Sequence, residues 1–263
     1  MFRTVFVLGA LSVGLWVASS HAGTPFGGDD LGFIPSNADD AKCEATGAKL
    51  VVKTIPCIQK CQIKRAQARG SNANATTEEL CEGSCHHWID GVDVVLGHLF
   101  RHPGFNCPAI VCLEDSSVGL NLRTITRRLI IGSDDAGWAA INALTYCDAS
   151  SGTPFGSGDS GFVPPPNSPI KNCELKVGAA VSKLALCDLN CSALRASGML
   201  PDEAAEESCE STCTTGFTGK VSSLKGCPPC LDATSIASAT ESLIDGTYVP
   251  AIYCASPSGA FVQ

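Results

Sequence analysis

The chain has 263 residues, 16 of them cysteine and only 6% aromatic, with a formal net charge of −8. A core so poor in large rings buries little apolar area per residue, and small domains of that kind rely on covalent staples. The acidic balance argues against nucleic acid and anionic membrane surfaces as partners, because both select Lys/Arg-rich patches.

In chain order, Met1-Phe2-Arg3 places one positive charge ahead of an apolar run from Val5 to Val17, and Ser20 and Ala22 put small residues at a cleavage site. The run is about 13 residues, short of the roughly 20 that a spanning helix needs. Residues 1–22 are therefore expected to be a secretory signal peptide. The mature protein is expected to be secreted, extracellular or periplasmic, with no membrane span and with oxidised cysteines.

Two segments of the remaining chain start almost identically. Gly23-Thr24-Pro25-Phe26-Gly27, continuing to Pro35, returns as Gly152-Thr153-Pro154-Phe155-Gly156, continuing to Pro164. Phe33 and Phe162 recur within them, as do Asp30 and Asp159, all at one constant offset, which marks a duplication. The leaders are Gly- and Pro-rich, so they are expected to be irregular, either flexible spacers or segments anchored by their phenylalanines. A single recurring aspartate reads as a turn residue, and no EF-hand spacing accompanies it.

The cysteines repeat with the leaders. The first copy holds Cys43, Cys57, Cys61, Cys81, Cys85, Cys107, Cys112 and Cys147; the second holds Cys173, Cys187, Cys191, Cys209, Cys213, Cys227, Cys230 and Cys254. Eight per copy is an even number, so residues 23–150 and 151–263 read as two modules, each closed by its own bridges with none between them.

Each module starts with helix formers. Between Cys43 and Gly70, Ala, Lys, Gln and Arg dominate, and Cys43, Leu50, Cys57 and Cys61 share one helical stripe. Pro56 should kink this helix, and Gly70 and Gly198 should end the first helices of the two copies. A second helix should start at Thr76, as N-cap with Glu79 three residues on, and in the other copy with Pro201 in its first turn. Cys81, Cys85, Trp88, Val92, Val95 and Leu99 would then line one face. A third helical stretch is expected within 118–131 and 232–244.

Two helices joined by a short polar loop pack antiparallel. With an i, i+4 cysteine pair on each, the pairs meet as a ladder: Cys61 with Cys81 and Cys57 with Cys85, then Cys191 with Cys209 and Cys187 with Cys213. The pairing of Cys43, Cys107, Cys112 and Cys147, and of Cys173, Cys227, Cys230 and Cys254, stays open. The fold class is thus mostly α: two tandem disulfide-rich helical modules, each with a helical hairpin cross-linked by paired CxxxC motifs. Over about 30 residues per module this arrangement resembles the α-hairpinin peptides and the small twin-CxxxC helical proteins of mitochondria. The likeness is one of geometry and implies no function.

Candidate chemistry can be weighed by comparing the copies. Cys81-Glu82-Gly83-Ser84-Cys85-His86 looks like a haem-attachment motif with one extra residue, but the second copy keeps both cysteines and has Thr214 in place of the histidine. His98 and His102 are i, i+4 and could share a metal ion, in the first copy only. Cys227-Pro228-Pro229-Cys230 has the CxxC spacing of thiol oxidoreductases but no βαβ context, and its counterpart Cys107 to Cys112 has a different spacing. Glu206, Glu207 and Glu210 read as a solvated helix face. No catalytic residue and no cofactor emerges.

The leading reading is a secreted non-catalytic tandem-repeat protein, a binding or extracellular structural module whose partner is an unidentified extracellular protein or glycan. One alternative is a protease inhibitor or toxin-like defence protein, with a reactive loop at 70–76 or 198–200. The other is a metal- or haem-binding protein that uses the first module alone.

Overall fold

The computed structural model describes residues 23–36, 38–67, 74–85, 138–156 and 158–254. Residues 1–22, Gly70, Trp88, Val92, Val95, His98, Leu99, His102, Cys107, Cys112 and the stretch 118–131 lie outside them. The described part is mostly helical and rich in disulfides.

Both leaders fold. Strand β1 (Thr24–Gly27) pairs antiparallel with β2 (Asp30–Ile34), bringing Thr24 opposite Ile34, Pro25 opposite Phe33 and Gly27 opposite Asp30. The leader, expected to be irregular, is therefore a β-hairpin. Its glycines supply the left-handed backbone that the tight turn needs, with φ of +100° at Gly27 and +60° at Gly28.

Helix α1 (Ala38–Gln67) continues through Pro56, and α2 (Ala75–Ser84) follows it. The cap of α2 is Asn74 rather than Thr76. The Asn74 Oδ1 accepts the Thr77 amide at 2.9 Å, and Asn satisfies that orphan donor at least as well as Thr.

The next described helix is α3 (Trp138–Thr145), and the second hairpin comes after it: β3 (Thr153–Gly156) and β4 (Asp159–Val163), with the same register as the first. Helix α4 (Pro169–Ala196) ends in a Schellman turn. Gly198, at φ +74°, donates its amide to the Arg195 carbonyl, and the Met199 amide reaches the Leu194 carbonyl. Asp202 caps α5 (Glu203–Ser222), so Pro201 stands just outside the helix instead of in its first turn. The chain then forms α6 (Ala233–Leu243), one π-helical turn (Ile244–Tyr248) and α7 (Val249–Ile252).

The larger of two core clusters among the described residues is shared by both sequence repeats. Val51, Ile55 and Ile58 of α1 join Val177, Val181, Leu184 and Leu189 of α4 and Ile236, Ile244 and Ile252 of the last helices. Helix α4 has the length and apolar composition of a membrane span, but most of its apolar window is buried inside the protein.

The bridges lie on this frame. Cys57 is bonded to Cys85 and Cys61 to Cys81 between α1 and α2; Cys187 is bonded to Cys213 and Cys191 to Cys209 between α4 and α5. Cys173 pairs with Cys227. Cys147 pairs with Cys230, a link between residues 23–150 and 151–263 that the expectation of separately closed halves did not include. Cys254 is also disulfide-bonded, and no cysteine is free among the described residues.

The hairpins dock in exchange. The first, at the start of one repeat, packs on the end of the other: Phe26 stacks on Tyr253 at 5.3 Å and the Phe33 amide donates to the Tyr253 carbonyl at 2.9 Å. The second hairpin packs on the end of the first repeat, with Phe155 on Tyr146 at 5.0 Å and the Phe162 amide on the Tyr146 carbonyl at 2.8 Å. A lone two-stranded hairpin is marginal in water; burial of Phe26 and Phe155 against these tyrosines holds each in place.

Candidate functional site

The exchanged hairpins carry the recurring aspartates into the protein. Asp30 ends up with Glu206 and Glu210 of α5, and Asp159 with Glu78 and Glu82 of α2; in each trio one oxygen from every residue lies within 4.8 Å of the others. The glutamates occupy matching places, three residues before and one after Cys209 and Cys81. They are not the solvated face that composition suggests: Glu78 and Glu82 are 0% exposed, and Glu206 and Glu210 1%. The i, i+4 spacing stacks both glutamates on the helix side facing the hairpin, and the disulfide rungs hold that side inward.

The two clusters differ around this shared trio. In the second half, Asp245 of the π-turn lies against Asp30, and Asp188 of α4 faces Glu210. The Asp188 carboxylate has no hydrogen-bond partner among the described residues, while Asp245 shares a hydrogen bond with Asp30. Positive charge comes from Arg195, whose Nε is 3.7 Å from Glu206. In the first half, Arg65 takes the corresponding place beside Glu78, and the Gln62 amide donates to Asp159 at 3.4 Å. Eight residues before the closing Tyr-Cys, where the second copy has Asp245, the first has Trp138. Trp138 is buried, and its indole nitrogen donates to Gln59 at 2.7 Å.

Electrostatics follow from crowding. Burial, with the neighbouring Asp159 second, pushes Glu82 up to about 11, and burial with Asp245 and Asp30 pushes Glu210 up to about 10. Burial likewise raises Asp30, Glu78, Asp159, Glu206 and Asp245. Asp188 rises to about 7 through burial and the charge of Glu241. Nearer the surface, the Glu203 carboxylate lies against Gly27 and Gly28, and Glu207 reaches Gly28. With Asp29 and Glu241 they give the second cluster an acidic rim.

Other sequence candidates fall elsewhere. Cys81 and Cys85 spend their sulfurs on Cys61 and Cys57, which leaves none for thioether attachment of haem. Cys227 and Cys230 bond to Cys173 and Cys147, so the CxxC does not close on itself. His98 and His102 lie outside the described residues. The turn at 198–200 exposes Met199 (69%) but is locked by backbone hydrogen bonds into a compact cap rather than an extended loop.

Sequence reasoning missed the trios. The available signal was that Asp30/Asp159, Glu78/Glu206 and Glu82/Glu210 recur at the same places relative to the repeat landmarks. Comparison with known protein families, curated proteins and solved structures finds no match to this chain.

Proposed function

We propose that the chain is a secreted, non-catalytic binding protein of two tandem disulfide-rich modules, exported with loss of residues 1–22. The observation that carries this reading is the buried Asp–Glu–Glu trio, built twice from matching positions. The features with a catalytic look are confined to one repeat or consumed in bridges. A task shared by both halves therefore belongs to the carboxylate pockets, and the disulfides keep them assembled in an oxidising compartment.

The test is native mass spectrometry of the full-length protein purified from a secreting host without chelator. Adducts lost in the Glu82→Gln/Glu210→Gln double variant are expected, with no turnover in a broad hydrolase panel. Turnover that the same double variant abolishes would overturn the non-catalytic reading.

A further inference from the structure

We infer that each half binds one hard divalent cation, Ca2+ by preference, through its trio: Asp30, Glu206 and Glu210 in one site, Asp159, Glu78 and Glu82 in the other. This rests on the binding reading above and names its ligand.

Oxygens that all lie within 4.8 Å of one another can share a single ion. Ca2+ takes about six to eight oxygens in a flexible geometry and suits a site that gathers several carboxylates, whereas Mg2+ is usually held by about one or two carboxylates and keeps most of its waters. The donors are carboxylate oxygens with no sulfur or imidazole among them, which selects hard cations over zinc or copper.

The second half supplies an observation beyond the trio. Asp188 and Asp245 are 0% and 2% exposed, stand on two other elements and face the trio; the Asp188 carboxylate has no hydrogen-bond partner among the described residues, while Asp245 shares a hydrogen bond with Asp30. Buried charged groups are ordinarily paired or coordinate a metal. Five carboxylates converge here, with the Arg195 guanidinium as the cation seen beside them among the described residues. Asp245 also sits on a π-helical turn, a distortion that recurs at functional sites and here aims an extra carboxylate inward. The rim of Asp29, Glu203, Glu207 and Glu241 gives a cation an attractive approach. With Trp138 in place of Asp245, the first-half site has fewer ligands and is the weaker of the two.

The experiment is calorimetric titration of the EDTA-stripped full-length protein at pH 7.5 with CaCl2, then with MgCl2 and MnCl2. Two unequal Ca2+ sites per chain are expected. Glu210→Gln should abolish the tighter site and Glu82→Gln the weaker, while Asp245→Asn should weaken the tighter by about 10-fold or more. A thermal melt separates loss of ligand from loss of fold. Glu210→Gln removes a carboxylate that is ionised in the unfolded chain and costly to bury, so it should raise the cation-free Tm while shrinking the Ca2+-dependent rise. If folded wild-type protein takes up none of the three cations, the trios share protons instead and the inference is overturned. The binding reading then survives if native mass spectrometry shows a larger, carboxylate-dependent adduct, and falls as well if it shows none.

Discussion

The Cys147–Cys230 bridge ties the two repeats together, and its removal has a calculable cost. The direct loop spans 83 residues, but Cys173–Cys227 shortens the path. With that bridge intact, the chain from Cys147 to Cys173 and from Cys227 to Cys230 closes a loop of about 29 residues, and the chain-entropy relation gives about 3.6 kcal/mol. Removing one rung of a helical ladder, such as Cys61–Cys81, leaves Cys57–Cys85 in place and frees a loop of only about 8 residues, for about 2.5 kcal/mol. The double variants Cys147→Ser/Cys230→Ser and Cys61→Ser/Cys81→Ser can be compared by urea unfolding monitored by circular dichroism. The first should lose more stability than the second, with a Tm drop of roughly 7–14 °C for a protein of this size. Equal losses, or a smaller loss for the inter-repeat bridge, would refute the argument that this staple restrains the largest remaining freedom of the unfolded chain.

Two further substitutions probe the exchanged hairpin. Gly161 has φ +103°, and a Cβ there would come 2.9 Å from the Tyr146 carbonyl and 3.1 Å from that of Asn142. Gly161→Ala should therefore cost about 2 kcal/mol or more. Gly198→Ala, at φ +74° in open space, should cost only about 1 kcal/mol in the same denaturation assay. Phe155→Ala removes a ring that is 1% exposed and stacked on Tyr146; a loss of about 3–5 kcal/mol is expected, read as a shift in the urea midpoint.

The sulfurs that meet between α1 and α2, and between α4 and α5, were legible because helical geometry is local. Residues four apart share a face, and a short connection forces neighbouring helices to run antiparallel, which limits the partners of Cys57, Cys61, Cys187 and Cys191. The hairpins were not legible. Gly and Pro discourage strands in general, and the packing of Phe26 on Tyr253, some 227 residues away in the chain, depends on tertiary topology that no local pattern encodes. The Cys147–Cys230 bridge follows from the same long-range arrangement. The buried glutamates escaped for a different reason. Helical amphipathicity counts Glu as outward-facing, and Glu206 and Glu210 break that rule together with Asp30, which arrives from the far end of the sequence. Departures of this kind concentrate at functional sites.

That departure fixes the sign of the pH dependence. Glu82 and Glu210 hold their protons up to about 11 and about 10 in the folded protein, whereas an unfolded glutamate releases its proton near 4.3. Over that interval the folded state binds more protons than the unfolded state, so stability falls as pH rises. Asp188, Asp245, Asp30 and Glu206 face Glu210, and Asp159, Glu78 and Glu79 face Glu82; burial raises all of them, so they act in the same direction. Arg195 and Arg65 oppose the shift without reversing it. In EDTA the protein should be most stable near pH 4–5, and its urea midpoint should decline steadily through pH 9. A cation competes with these protons and needs the ionised carboxylates. The rise in Tm on adding Ca2+ should therefore be negligible near pH 5 and largest near pH 9. A Ca2+ effect that is flat across this range would place the ion at exposed surface carboxylates, because only the buried trios exchange protons for metal within it.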